Sequence, residues 1–105
     1  MIQFRNDVSE EQKAKILQQY SSIAEDCGGK EAGILFFTTK PNLDQRKNWH
    51  FAEFALFSGP EALEAFRIHP KHKEITDVLR DTADWVVGDL LADAREIGSA
   101  LIELK

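Results

Sequence analysis

Three histidines are the side chains in this sequence best suited to acid–base chemistry. His69 and His72 flank a Pro70-Lys71 step, and His50 precedes an apolar run. An imidazole changes protonation near neutral pH, so His72 could act as a general base that removes a proton from carbon beside a carbonyl. Alternatively, a helix interrupted by proline leaves backbone groups without partners, and His69 and His72 could bond them. The residues alone leave both interpretations open.

Other kinds of chemical site have less support. His50, His69 and His72 together could be read as metal ligands, but no carboxylate accompanies them at a ligand-like spacing, so neither a metal nor another cofactor is predicted. Glu53 lies among apolar residues, where a carboxylate must be paired or lie at a wet pocket mouth. Trp85 either lines a small cavity or packs in the core. No glycine-rich phosphate loop, nucleophile elbow or serine triad pattern is present.

Size and composition indicate one globular domain. The chain has 105 residues, of which 43% are hydrophobic and 30% charged. Its formal net charge of −5 opposes nucleic-acid binding, which needs a basic face. No run approaches the roughly 20 apolar residues of a membrane span, and no signal-peptide pattern follows Met1. Cys27 is the only cysteine, so no intrachain disulfide is expected and a reduced, cytoplasmic location fits best.

Hydrophobic periodicity predicts the element order β-α-β-β-α-β. Ser9 begins an amphipathic helix that ends at Gly28-Gly29. Ser58 and Glu61 form a second capping box, before a helix that breaks near Pro70. Alternating or β-branched apolar runs predict the strands Ile2–Arg5, Ala32–Thr39, His50–Phe57 and Trp85–Leu90. This order is that of the α+β ferredoxin-like fold, with an antiparallel sheet.

The two middle strands carry apolar residues on both faces, because side chains alternate along a strand. Alternation places Ile34 and Phe36 on one face of the strand, and Leu35 and Phe37 on the other. In the next strand, Phe54 and Leu56 lie on one face, and Phe51, Ala55 and Phe57 lie on the other.

Two helices on one side of the sheet leave its other face uncovered. Four strands give this face roughly 300 Å² in projection, comparable with the largest apolar patch that a soluble monomer usually exposes. A second copy packed sheet against sheet is the predicted cover. The alternative is a monomer whose long loop or tail folds over the sheet.

These residues resemble the stress-responsive dimeric α/β barrel family. The match rests on His50 opening the third strand, the run Glu61–Phe66, the His69–His72 step and Val87–Asp89, in order and spacing over about residues 2–90. The resemblance implies a ferredoxin-like domain at residues 1–90 that pairs with a second copy to form a barrel with its helices outside. We expect a small hydrophobic pocket in each subunit, lined by His50, Phe66, His69 and Trp85.

Function within that family is diverse. One plant branch contains a polyketide cyclase that closes a ring by intramolecular aldol condensation without a cofactor, using a histidine and a tyrosine between helices and sheet. By position, the histidine matches His72 and the tyrosine matches Phe66, which has no hydroxyl. The first strand is also shorter here and lacks the family's usual histidine. The resemblance therefore implies a stress-type barrel protein with no assigned reaction.

Two enzymatic alternatives remain open. The first is a cofactor-independent enzyme that acts on a small hydrophobic or aromatic metabolite with His72 as general base. The second is an oxygen-using, monooxygenase-like member of the same architecture. Residues 91–105 lie outside the resemblance and are predicted to form a C-terminal extension, in which Ser99–Leu104 adds a strand.

Overall fold

The computed structural model describes residues 1–44, 46, 48–93 and 95. These residues form an antiparallel sheet with helices on one side. This is the predicted ferredoxin-like arrangement, with each predicted helix divided in two. The elements are β1 (Ile2–Phe4), α1 (Glu10–Ser21), α2 (Ile23–Asp26), a 3-10 turn (Gly29–Ala32), β2 (Ile34–Pro41), β3 (Phe51–Phe57), α3 (Pro60–Ile68), α4 (Pro70–Thr82) and β4 (Ala83–Trp85). The strands lie in the order β2-β3-β1-β4.

The first helical segment begins as predicted but is interrupted near its end. The Ser9 hydroxyl accepts the backbone N–H of Gln12 at 3.1 Å, which caps α1. The prediction of one continuous helix was wrong, because the chain leaves α1 at Ser22 before α2 begins. The Ser22 hydroxyl donates to the carbonyl of Gln19 at 3.2 Å, a local bond that competes with regular helix geometry. Gly28, with a φ of 107°, then ends the helical segment.

The second helical segment breaks at Pro70, as predicted. Helix α3 ends at Ile68, and His69 takes an extended conformation before Pro70 begins α4. Proline disfavours helical geometry at the preceding residue, which accounts for the position of the break.

The predicted capping box of Ser58 and Glu61 was wrong. Gly59 is the N-cap of α3, and no side chain caps it. Ser58 instead continues the sheet, since its N–H donates to the carbonyl of Gly33 at 2.8 Å. Gly33 has a φ of 83°, and a side chain there would collide with the Ser58 hydroxyl. Ser58 therefore packs against this turn instead of turning towards the helix.

A β-bulge changes which β2 side chains lie on each face of the sheet. The pairing with β3 shifts between Ile34 and Phe36, so Leu35 is an extra residue. The prediction that Ile34 and Phe36 share a face was wrong, because Ile34 is 4% exposed and Phe36 is 48% exposed. Phe37 packs against the core in its place.

Strand β4 is shorter and begins earlier than predicted. The expected strand Trp85–Leu90 was wrong, since β4 spans Ala83–Trp85 and pairs with the three residues of β1. Val86 still exchanges two hydrogen bonds with Met1, at 3.1 and 2.9 Å. Beyond it, residues 86–93 form no strand within this subunit, because β1 offers no further partner. The predicted strand Ser99–Leu104 lies outside the described residues.

The core lies between the helices and one face of the sheet. Its largest fully buried side chains are Ile16, Ile23 and Leu79. The opposite side of the sheet, which we call the outer face, carries Phe36, Thr38, Ala52, Phe54 and Leu56. No described helix lies over this outer face, and Phe54 is 56% exposed.

Candidate functional site

The two histidines at the helix joint both bond to backbone. His69 Nδ1 accepts the N–H of Lys71 at 3.1 Å, so its side chain caps α4. His72 Nδ1 donates to the carbonyl of Arg67 at 3.2 Å, which satisfies a carbonyl freed at the end of α3. If His69 and His72 serve to bond the backbone groups left without partners around Pro70, contacts of this kind are expected.

The contact with Arg67 also fixes the chemistry of His72. Because Nδ1 carries the proton, Nε2 holds the lone pair of the neutral ring. Partial burial lowers the pKa of the His72 imidazole below its ordinary value. The nearby charges of Arg67 and His69 also lower this pKa, whereas the hydrogen bond to Arg67 raises it. His72 is therefore a neutral ring with a basic Nε2 at neutral pH.

The Phe66 ring fills the space beside His72. Its centroid lies 4.5 Å from that of His72, 5.3 Å from that of Phe57 and 5.8 Å from that of Phe37. Phe66 is 7% exposed and belongs to the buried core. Trp85 lies apart from these rings, at the sheet edge, where it pairs with Ile2. The predicted pocket residues are thus not brought together around one cavity.

A groove runs between α1 and the sheet, and we call it the α1 groove. It consists of two clefts of about 320 and 270 Å³ that share Leu17 and Phe51 as lining residues. His50 lines the first cleft, and Thr39 lines the second. Of the predicted pocket residues, only His50 lines these two clefts.

His50 is held by β1 through both its side chain and its backbone. Its Nδ1 accepts the N–H of Phe4 at 3.2 Å, and its backbone N–H donates to the carbonyl of Ile2 at 2.8 Å. With Nδ1 acting as an acceptor, the proton of the neutral ring is on Nε2. His50 therefore offers a hydrogen-bond donor beside the first cleft.

One polar residue that the sequence reasoning missed, Thr39, lines the second cleft, and Glu53 and Tyr20 lie close to it. The Thr39 hydroxyl is shielded from solvent and has no hydrogen-bond partner among the described residues. Glu53 lies opposite Thr39 in the β2–β3 ladder. Desolvation raises the pKa of the Glu53 carboxyl, although much of the residue is exposed. Burial, together with the charge of Glu53, raises the pKa of the Tyr20 hydroxyl. A single threonine in a strand gives no sequence signal, whereas Glu53 was noticed as a carboxylate among apolar residues.

Comparison with known proteins places the chain in a family. The model of the Stress responsive A/B Barrel Domain matches residues 1–91. The chain belongs to this family. A search of curated proteins found no match.

Two solved structures resemble this stress-responsive barrel domain. A dimeric protein of unknown function with a ferredoxin-like fold, from Bacteroides fragilis NCTC 9343, is 20% identical with a TM-score of 0.62, covering 80% of this chain and 82% of the other. A dimeric ferredoxin-like protein of unknown function, from Thermobifida fusca YX, is 17% identical with a TM-score of 0.64, covering 78% and 74%. At these identities the likeness establishes the fold alone.

Within the described ranges, no three histidine, cysteine, aspartate or glutamate side chains are grouped so that they could hold a metal ion. None of the helices described here is long and apolar enough to cross a membrane.

Proposed function

We propose that this barrel domain acts in the cytoplasm as a homodimer that binds a small hydrophobic or aromatic metabolite in each subunit, with no assigned reaction. Residues 1–90 form the functional domain, and residues 91–105 extend it. The net charge of −5 opposes nucleic acid as a partner, and no membrane partner is proposed.

The observation that carries the dimer is the apolar outer face. Phe36 and Phe54 are 48% and 56% exposed, and their ring centroids lie 6.0 Å apart in an edge-to-face contact. Leu35, displaced by the bulge, is 49% exposed beside them. A contiguous apolar patch of this kind is typical of an interface. The two similar structures are described as dimeric, which supports the same assembly here.

The segment after β4 adds further apolar surface. Val86, Val87, Leu90 and Leu91 are 48%, 68%, 84% and 86% exposed. An ion pair between Arg67 and Asp89 holds this segment to α3.

Light scattering at micromolar concentration tests the assembly. We expect a stable particle of twice the subunit mass of 11.9 kDa. A particle of one subunit mass would contradict the proposed dimer.

A second candidate function is proton abstraction by His72, favoured by the basic Nε2 that its contact with Arg67 leaves available. An enzyme of this kind would catalyse exchange of the protons beside a carbonyl, as in phenylacetone, for solvent deuterium. The rate should rise with pH as His72 loses its proton. Because burial lowers the pKa of His72 below its ordinary value, the midpoint of this rise should lie below pH 6.5.

Nuclear magnetic resonance of phenylacetone in deuterium oxide measures this exchange. His72→Gln keeps a polar side chain and should abolish it, whereas Thr76→Val, on the same helix, should not. If the wild-type protein exchanges the protons no faster than buffer alone, proton abstraction by His72 is excluded and metabolite binding stays as the proposed function.

A further inference from the structure

The α1 groove has the size and lining of a small-molecule site. Its two clefts, of about 320 and 270 Å³, share the apolar side chains of Leu17 and Phe51. Small-molecule sites combine an apolar wall of this kind with a few convergent polar groups. The groove lies on the helix side of the sheet, so a second copy on the outer face leaves it open.

Thr39 lines one end of the groove, and its hydroxyl is buried. This hydroxyl has neither solvent nor a described protein group as a partner, which costs free energy in the folded chain. Thr39 lines the second cleft, and rotation about its χ1 exchanges the hydroxyl with the methyl group. A ligand oxygen in this cleft would therefore give the hydroxyl the partner it lacks.

The other end offers the imidazole of His50. Since its Nδ1 accepts the N–H of Phe4, its Nε2–H can donate to a ligand oxygen. Glu53 pairs with Thr39, and His50 lies three residues before Glu53. At about 3.3 Å per residue, the two polar ends of the groove lie roughly 10 Å apart along the strand.

The charges around the groove select against an anion. Lys13, in the first cleft, is already paired with Glu10 at 3.0 Å. Lys40 also lines the second cleft, but it pairs in the ladder with Ala52 of the outer face, so strand alternation directs its ammonium group towards that face. Glu53 lies on the groove side beside Thr39 and would repel a carboxylate there.

We propose that the α1 groove binds an elongated, uncharged aromatic compound that places one oxygen at Thr39 and another at His50. The ring system lies between Leu17 and Phe51. This inference rests on the proposed function, since it names the site and the chemical class of the bound metabolite.

The probe 2,6-dihydroxynaphthalene has this shape, with one hydroxyl at each end of a flat apolar body. We expect it to shift the amide resonances of Leu17, Ser21 and Thr39 in the ¹⁵N-labelled full chain. The related probe 2-naphthol lacks one oxygen and should bind about 5- to 10-fold more weakly. Naphthalene-2,6-dicarboxylate, a dianion, should bind more weakly than both.

Thr39→Val separates binding from folding. The variant keeps the side-chain shape and loses an unpartnered hydroxyl, so its unfolding midpoint should not fall. Its affinity for 2,6-dihydroxynaphthalene should drop about 5- to 10-fold, which removes the advantage over 2-naphthol. In the control Thr76→Val, the lost hydroxyl donates to the carbonyl of His72 at 2.9 Å, so stability should fall while probe affinity stays unchanged.

Three outcomes would overturn the inference. They are an absence of saturable binding, resonance shifts centred on His72 and Phe66, and equal affinity of Thr39→Val and wild type for the two-oxygen probe. Shifts at His72 and Phe66 would keep the binding function and move its site. Assembly is measured separately by light scattering, so a failed probe experiment leaves the dimer intact.

Discussion

Phe54→Glu is expected to separate the two subunits. Phe54 is 56% exposed at the centre of the outer face and contacts the ring of Phe36. In the dimer, the new carboxylate would lie in an apolar interface without a partner, which costs several kcal/mol. A loss of about 3 kcal/mol raises the dissociation constant about 100-fold or more. Sedimentation equilibrium over a range of concentrations measures this change.

The matched control for that experiment is Ile68→Glu. Ile68 is 59% exposed, as Phe54 is, but it lies on α3 in the helix layer. The same charge at this position should leave the dissociation constant unchanged. Equal weakening by both substitutions, or an intact Phe54→Glu dimer, would show that the interface lies elsewhere.

Phe66→Ala should lower the free energy of unfolding by about 3–5 kcal/mol, the usual cost of removing a buried phenyl ring. The ring is 7% exposed and packs against Phe37, Phe57 and His72. Its removal would leave a cavity that these neighbours fill only in part. Urea denaturation at one fixed protein concentration measures the loss, since dimerisation makes stability concentration-dependent.

Val78→Ala on the adjoining helix provides the comparison, because Val78 is 38% exposed and its truncation should cost about 1 kcal/mol or less. If Phe66→Ala were as mild, the ring would be the wall of an open cavity near His72. That result would favour the enzymatic candidate over the binding protein.

The order of elements could be read from the sequence because local signals agree with the fold. Ser9 caps α1 as its type and position predict, and Pro70 divides the second helix. The bulge at Leu35 could not be read, because a run of consecutive apolar residues looks the same whichever face each occupies. The length of β4 depends on its partner: β1 has three residues, and an apolar run beyond Trp85 cannot extend a ladder without one.

The candidate site was less accessible to sequence reasoning. His69 and His72 were recognised as a unit, and their backbone contacts follow from the proline between them. The resemblance directed attention to Phe66, which the structure places in the core. The hydroxyl of Thr39 had no signal at all, since its lack of a partner depends on how α1 and the sheet pack together.

The packing of two copies through the outer face is tested most directly by nuclear Overhauser contacts between subunits. A sample mixed from ¹³C-labelled and unlabelled chains reports only the contacts that cross the interface. We predict cross-subunit contacts from the rings of Phe36 and Phe54 and none from Ile68. Contacts confined to helix residues, or none between subunits, would contradict the account.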